Sequence, residues 1–230
     1  MVSIEGKLQQ VKARIASACH EAGRSVQSVQ LLAVSKTFDA AAVREAVAAG
    51  QLDFGENYVQ EGMAKIVALH DLRPQLRWHF IGPLQSNKTR DVATHFDWVH
   101  TVDRLKIAER LAAQRPATRS PLQLCLQVNV SGEASKSGVH PDALLSLAQQ
   151  VAALPREQVQ LRGLMSIPEP AATLAAQRTS HRRLRELQQQ LNAHGLGLDT
   201  LSMGMSADLE AAVLEGSTLL RVGTAVFGAR

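Results

Sequence analysis

The 230-residue chain is long enough to bury a sizeable core, and 45% hydrophobic with 20% charged residues is ordinary for a globular protein. No apolar run approaches a membrane span, and two cysteines, Cys19 and Cys125, make neither a disulfide framework nor a metal cluster. The net charge of +4 raises nucleic acid as a partner, but with aromatics at 3% a base-stacking platform is not expected.

In chain order, the start Met1-Val2-Ser3-Ile4-Glu5-Gly6-Lys7 lacks a basic-then-apolar export signal, so a cytoplasmic protein is expected. Ile4, Leu8, Val11, Ile15 and Cys19 form one helical stripe that Gly23 stops. Apolar runs then alternate with amphipathic ones. Strands are predicted over 30–36, 51–54, 77–82, 97–101, 122–130, 159–167, 199–204 and 218–222. Helices are predicted near 40–49, 57–70, 86–95, 104–115, 141–153, 174–194 and 207–215. Asp39, Asn57, Ser86 and Asp103 read as N-caps, Pro141 as a first-turn proline, and Gly195 as a helix stop. Arg178, Arg182, Arg183 and Arg185 read as a solvated face of the long helix.

Eight strands alternating with helices predict an α/β fold, a single (β/α)₈ TIM-type barrel occupying residues 1–230 as one domain. No helix is predicted after strand eight, so the N-terminal helix at 3–22 is expected to cover the closure between the first and last strands. An open doubly wound sheet is the competitor, and the count of eight disfavours it.

Sites in such barrels lie at the C-terminal ends of the strands, with phosphate often held after strands seven and eight. Lys36 ends the first strand, where an amine can lose solvation and attack a carbonyl. Ser206 follows strand seven as the expected cap of the next helix, and Gly223-Thr224 follow strand eight, where backbone amides and hydroxyls suit an anion. Each reads equally as an ordinary cap or turn, and their joint placement favours phosphate. An amine at one end of the chain and a phosphate cradle at the other predict a phosphorylated aldehyde as ligand. Arg221, inside the last strand, either reaches the barrel mouth or pairs with a carboxylate. Asn57 is a helix cap or a ligand contact, Ser166 ends strand six as a further candidate, and His79 reads first as a satisfied core histidine, with a role in the site as the alternative. Gly132-Glu133-Ala134-Ser135-Lys136-Ser137 has the Lys-Ser of a P-loop without the preceding glycine. No His-Glu-x-x-His or Cys-x-x-Cys spacing occurs, and no metal is predicted.

Together, Ala33-Val34-Ser35-Lys36, Phe54-Gly55-Glu56-Asn57, Trp78-His79-Phe80-Ile81-Gly82 with Leu84-Gln85-Ser86-Asn87-Lys88, Gly163-Leu164-Met165, Ser202-Met203-Gly204-Met205-Ser206-x-Asp208 and Arg221-Val222-Gly223-Thr224-x-x-Phe227-Gly228 resemble the pyridoxal phosphate homeostasis proteins. These are small relatives of the alanine racemase barrel. The resemblance implies pyridoxal 5'-phosphate (PLP) held by Lys36 as an internal aldimine. It implies Ser206, Gly223 and Thr224 on the phosphate, Arg221 facing the pyridine nitrogen, and Asn57 and Ser166 along the ring. It further implies a cytosolic role in vitamin B6 balance and amino/keto acid metabolism without assigned turnover.

Two features of the residues bear on turnover. Related racemases take a second base, a tyrosine, from an added C-terminal domain, and here the one tyrosine is Tyr58. An arginine at the ring nitrogen also weakens the ring as an electron sink. A cofactor-holding protein is therefore expected, a monomer or weak homodimer with PLP-dependent enzymes as possible recipients. A racemase-like enzyme is the alternative reading, and Lys136 is one candidate for a second cofactor site.

Overall fold

A computed structural model of the chain describes residues 3–131 and 137–228. The P-loop-like stretch 132–136, with Lys136, therefore lies outside the described residues.

Helix α1 (Ile4–Glu21) opens the fold. Strand β1 (Gln30–Val34), helix α2 (Ala40–Ala48), β2 (Asp53–Glu56), α3 (Val59–Ala68), β3 (Arg77–Phe80) and α4 (Thr89–His95) follow. Next come β4 (Trp98–Val102), α5 (Leu105–Gln114), β5 (Leu122–Gln127), α6 (Pro141–Ala152), β6 (Val159–Met165) and α7 (Leu174–Ala193). The chain completes its circuit through β7 (Thr200–Ser202), α8 (Leu209–Leu214), β8 (Leu219–Val222) and a short α9 (Thr224–Phe227). The eight strands pair in sequence order and close as a parallel barrel, with β8 returning to β1 through Arg221 opposite Leu32 and Val222 opposite Ala33.

The strands are buried on both faces, which is why they read as near-continuous apolar runs. Outward residues such as Phe54, Trp78 and Val99 pack under the helices in the main core. Inside the barrel, Leu32, Val34, Ile81 and Leu219 form a separate small cluster. Below and beside it the interior is polar, with His79, His100, Ser202 and Arg221 all buried.

The N-terminal helix takes the expected place. Leu8, Val11, Ile15, Ala18 and Cys19 are buried, and α1 packs on α2, α8 and α9. Arg14 pairs with Glu210 of α8 at 2.7 Å, and Arg24 donates to Val213 and Ser217 carbonyls at 2.8 Å. A short helix does follow β8, contrary to expectation, so α1 shares the closure with α9: Lys7 Nζ donates to Phe227 O at 3.3 Å.

Capping holds where the side chain has a free amide to meet, as with Asp39 accepting from Ala42 N–H at 2.9 Å. Other expected caps fail. Tyr58, not Asn57, precedes α3, and Arg104, not Asp103, precedes α5, both without a side-chain cap. Asp103 instead pairs with Arg104. Ser86 begins a single 3₁₀ turn (Ser86–Lys88), so α4 starts only at Thr89. The expected solvated face of α7 is also corrected. Arg178, Arg182 and Arg185 converge on Glu215 at 2.7–3.0 Å, and Glu215 is 1% exposed, so these arginines clip α7 to the α8–β8 connection.

Candidate functional site

The residues singled out from sequence collect at the C-terminal ends of adjoining strands. Lys36 lies two residues beyond β1, half-buried, and its Nζ has no hydrogen bond or ion pair among the described residues. Thr37 beside it is in the left-handed region at φ 67°, where a non-glycine residue is uncommon and marks a constrained turn. Because the barrel closes β8 onto β1, Gly223 faces this strand: a Cβ at Gly223 would lie 3.2 Å from Val34 O. Phe38 stacks on Phe227 with ring centroids 5.0 Å apart, tying the Lys36 loop to α9.

Ser206 is not the cap of α8. Asp208 is, and its Oδ1 accepts from Met205 N–H at 2.7 Å. That geometry frees the Ser206 hydroxyl, whose Oγ accepts from Ala225 N–H of α9 at 3.4 Å. Ser206 thus joins Gly223 and Thr224 across two strands, with Thr224 exposed and Gly223 half-buried. The first amides of a helix lack intrahelical partners, so hydroxyl and amide donors meet here.

Arg221 forms the floor. Its Nη1 donates to Ser202 O at 2.5 Å and Ser202 Oγ at 2.7 Å, and its Nη2 donates to Ser166 O at 2.8 Å. Burial pulls the guanidinium down to about 10, opposed by Asp208, so it stays a cation at neutral pH. Among the described residues no carboxylate pairs with it; its guanidinium is held inside the barrel by Ser202 and Ser166. Ser166, whose carbonyl accepts from Arg221, is fully buried, with an Oγ that has no hydrogen-bond partner among the described residues. A buried hydroxyl without a partner is costly unless something else engages it. Asn57 follows β2, half-buried. It lines a cavity of about 390 Å³ with Tyr58, Phe80, Gln85 and Lys88, residues the sequence did not assign to a ligand.

Sequence reasoning missed the chain of polar groups beneath Arg221. His79 is a satisfied core histidine, as expected: its Nδ1 meets His100 Nε2 at 2.9 Å and its Nε2 meets Asp53 Oδ1 at 3.3 Å. His100 Nδ1 in turn meets Ser202 Oγ at 2.8 Å. Both ends of this chain impose the same order on its hydrogen bonds. Burial opposes ionisation of Asp53, but Arg77 and His79 hold its carboxyl well below the usual range, so it only accepts. At the other end Arg221 only donates, so Ser202 accepts from it and gives its hydroxyl hydrogen to His100. The one advance signal was a histidine inside each of β3 and β4.

Burial, with His79 and Arg221 nearby, pushes His100 well below 6.5. The unfolded chain, near 6.5, therefore takes up this proton first as pH falls. Stability is complete above about pH 6.5 and declines below it, by at most about 1.4 kcal/mol per pH unit for one proton. Thermal unfolding between pH 7.5 and 5 should show the midpoint falling below 6.5, and a His100→Gln variant should flatten that segment. A wild-type curve level down to pH 5 would contradict the assignment.

The residues fit an anionic ligand bearing a carbonyl: an amine with no partner among the described residues, hydroxyl and amide donors at β7 and β8, and a fixed cation between. No group of three or more His, Cys, Asp or Glu among the described residues is arranged to hold a metal, and none of their helices is long and apolar enough to cross a membrane.

Comparison with known proteins agrees with this picture. Residues 7–230 match the alanine racemase N-terminal domain family. The pyridoxal phosphate homeostasis protein of Pseudomonas aeruginosa is 62% identical over 230 residues, spanning 100% of this chain and 97% of that protein. Its namesake in Vibrio cholerae is 56% identical over 232 residues, spanning 100% and 98%. PipY of Synechococcus elongatus, solved with PLP bound, superposes with a TM-score of 0.81 at 43% identity, over 95% of this chain and 100% of that one.

Proposed function

Because this chain belongs to the pyridoxal phosphate homeostasis proteins, built on the alanine racemase N-terminal barrel, we propose that it binds PLP and serves intracellular B6 and amino/keto acid balance. Lys36 Nζ carries the cofactor through an imine to its aldehyde carbon. Ser206, Gly223 and Thr224 hold the phosphate, Arg221 faces the ring nitrogen, and Asn57 and Ser166 border the ring. One domain spanning residues 1–230 contains all of these.

The observation that carries the reading is the meeting of three separate stretches. Lys36, Ser206 and Gly223-Thr224 are far apart in sequence, yet strand closure and the Ser206–Ala225 contact bring them to one rim. PLP supplies electron withdrawal from carbons attached to its imine nitrogen. Arg221 limits that withdrawal, since a buried cation held by two carbonyls and a hydroxyl keeps an adjacent pyridine nitrogen unprotonated. Tyr58, at 59% exposure, is solvated rather than packed over the site. Both points support a carrier, working in the cytoplasm with PLP-dependent enzymes as recipients, over a racemase.

The test is reduction of the loaded protein with borohydride followed by peptide mapping. The expected result is a single pyridoxyl label on Lys36. A label elsewhere, or none, would overturn the reading. Sustained change of chirality when the loaded protein meets single-enantiomer amino acids would overturn the carrier assignment.

A further inference from the structure

Beneath Lys36, on the outer side of the barrel, lies a cluster of charges the proposed cofactor contacts leave unused. Lys65 of α3, only 5% exposed, donates to Ser35 O at 2.6 Å, to Glu56 Oε1 at 2.7 Å and to Glu61 Oε1 at 2.7 Å. Ser35 Oγ donates to the same Glu56 oxygen at 2.6 Å. The Thr37 N–H donates to Glu61 Oε1. One ammonium therefore reaches the backbone on both sides of Lys36, directly at Ser35 and through Glu61 at Thr37.

The cluster is built at a cost. Glu56 is fully buried, and its Oε2 has no hydrogen-bond partner among the described residues. A buried ion pair is seldom the most stabilising choice for such a position, since apolar residues of similar volume often do as well. Thr37 is held in the left-handed region besides, and Phe38 N–H closes the turn on Ser35 O at 3.0 Å. These contacts fix the peptide units before and after Lys36, and so the direction of its Cα–Cβ bond. An unfixed residue would have to give up about 1–2 kcal/mol of backbone freedom when its amine was brought to a carbonyl.

We propose that Lys65, Glu56 and Glu61 are positioning residues for Lys36, a clamp that sets the turn so that Nζ meets an incoming aldehyde. This rests on the reading that Lys36 forms the imine. In that step the nitrogen bonds to the aldehyde carbon, and the carbonyl oxygen leaves as water with the two amine hydrogens. The clamp touches neither reactant and acts on the lysine backbone alone.

The experiment compares wild type, Glu61→Ala and Glu61→Gln. One measurement is the rate at which the imine chromophore grows on mixing with PLP. The other is the affinity for pyridoxine 5'-phosphate, which carries an alcohol and forms no imine. Glu61→Ala, half-exposed in α3, should slow imine growth about tenfold while leaving affinity for the alcohol analogue within twofold. Glu61→Gln keeps an acceptor for Thr37 N–H and should restore most of the rate. An unchanged rate in Glu61→Ala, or equal loss for aldehyde and analogue, overturns the clamp. If Glu61→Ala does not fold, Ser35→Ala removes one hydrogen bond and no charge, and should slow imine growth about threefold; an unchanged rate there overturns the clamp equally. Absence of an imine at Lys36 in wild type is a different failure, that of the underlying reading.

Discussion

Replacing Lys36 with alanine is expected to abolish the imine chromophore and lower PLP affinity by on the order of a hundredfold or more, with little effect on the fold. The two halves of this result have separate causes. Lys36 is half-buried, and its Nζ makes no hydrogen bond or ion pair among the described residues, so truncation leaves no partner unsatisfied. Substitutions of that kind usually fall within about 0.5 kcal/mol. The affinity loss comes from removing an intramolecular bond whose effective molarity is high because the phosphate and ring are already anchored. What is expected to persist is the noncovalent part, through the proposed contacts of Ser206, Gly223, Thr224 and Arg221. A Lys36→Arg variant separates charge from chemistry: it keeps the cation, forms no imine, and should behave like alanine in absorbance. Titration of apo protein, with thermal unfolding alongside, checks both halves. A Lys36→Ala protein that still develops the chromophore would place the imine elsewhere.

The barrel was legible because parallel strands buried on both faces read as near-continuous apolar runs, as in Leu31-Leu32-Ala33-Val34 of β1. Strand ends were less so. The seventh was expected to run from 199 to 204 and ends at Ser202, because the chain turns through Gly204 at φ 96° to lead into α8. The caps show a subtler limit. Asn57, Ser206 and Asp103 are residue types that favour helix starts, yet in this fold each stands one or more positions too early. For Ser206 the displacement is informative, since a side chain not spent on its own helix faces a neighbouring one.

The polar residues that meet across the barrel stood out singly, but their pairing left no local trace. His100 and Ser202 are 102 residues apart, and Arg221 and Ser166 are 55 apart. Sequence spacing records neighbours along a helix or strand, not contacts through the interior of a closed sheet. The Lys36 clamp lay between these cases. Glu61 and Lys65 stand four apart on one helix face, ordinary for a surface pair. That this pair is turned inward, towards Glu56 and the Ser35 carbonyl, emerges only from the packing of α3 on β1 and β2.

Gly82→Ala is expected to destabilise the protein by about 3 kcal/mol or more and to disturb the site with it. A Cβ at Gly82 would lie 2.0 Å from Asn57 O and 2.7 Å from Asn57 C, so backbone must move. Neither side can yield freely. Gly82 O accepts from Thr101 Oγ1 at 2.7 Å, and Ile81 N–H donates to Glu56 O at 2.9 Å, pinning the end of β3 to β4 and β2. Relief therefore falls on the peptide joining Asn57 to Tyr58, at the proposed ring contact and one residue beyond Glu56 of the Lys65 cluster. The midpoint of thermal unfolding should drop by roughly 6–12 °C, taking about 2–4 °C per kcal/mol for a chain of this size. Gly197→Ala is the comparison. Gly197 has φ 63° but nothing within 4 Å of an added Cβ, so only backbone strain is introduced, about 1 kcal/mol. If Gly82→Ala cost no more than Gly197→Ala, the close approach of β3 to the Asn57 peptide would not be what holds this rim in place. If it cost more yet left imine formation at the wild-type rate, the Asn57–Tyr58 peptide would be structural support alone, uncoupled from the Lys36 turn.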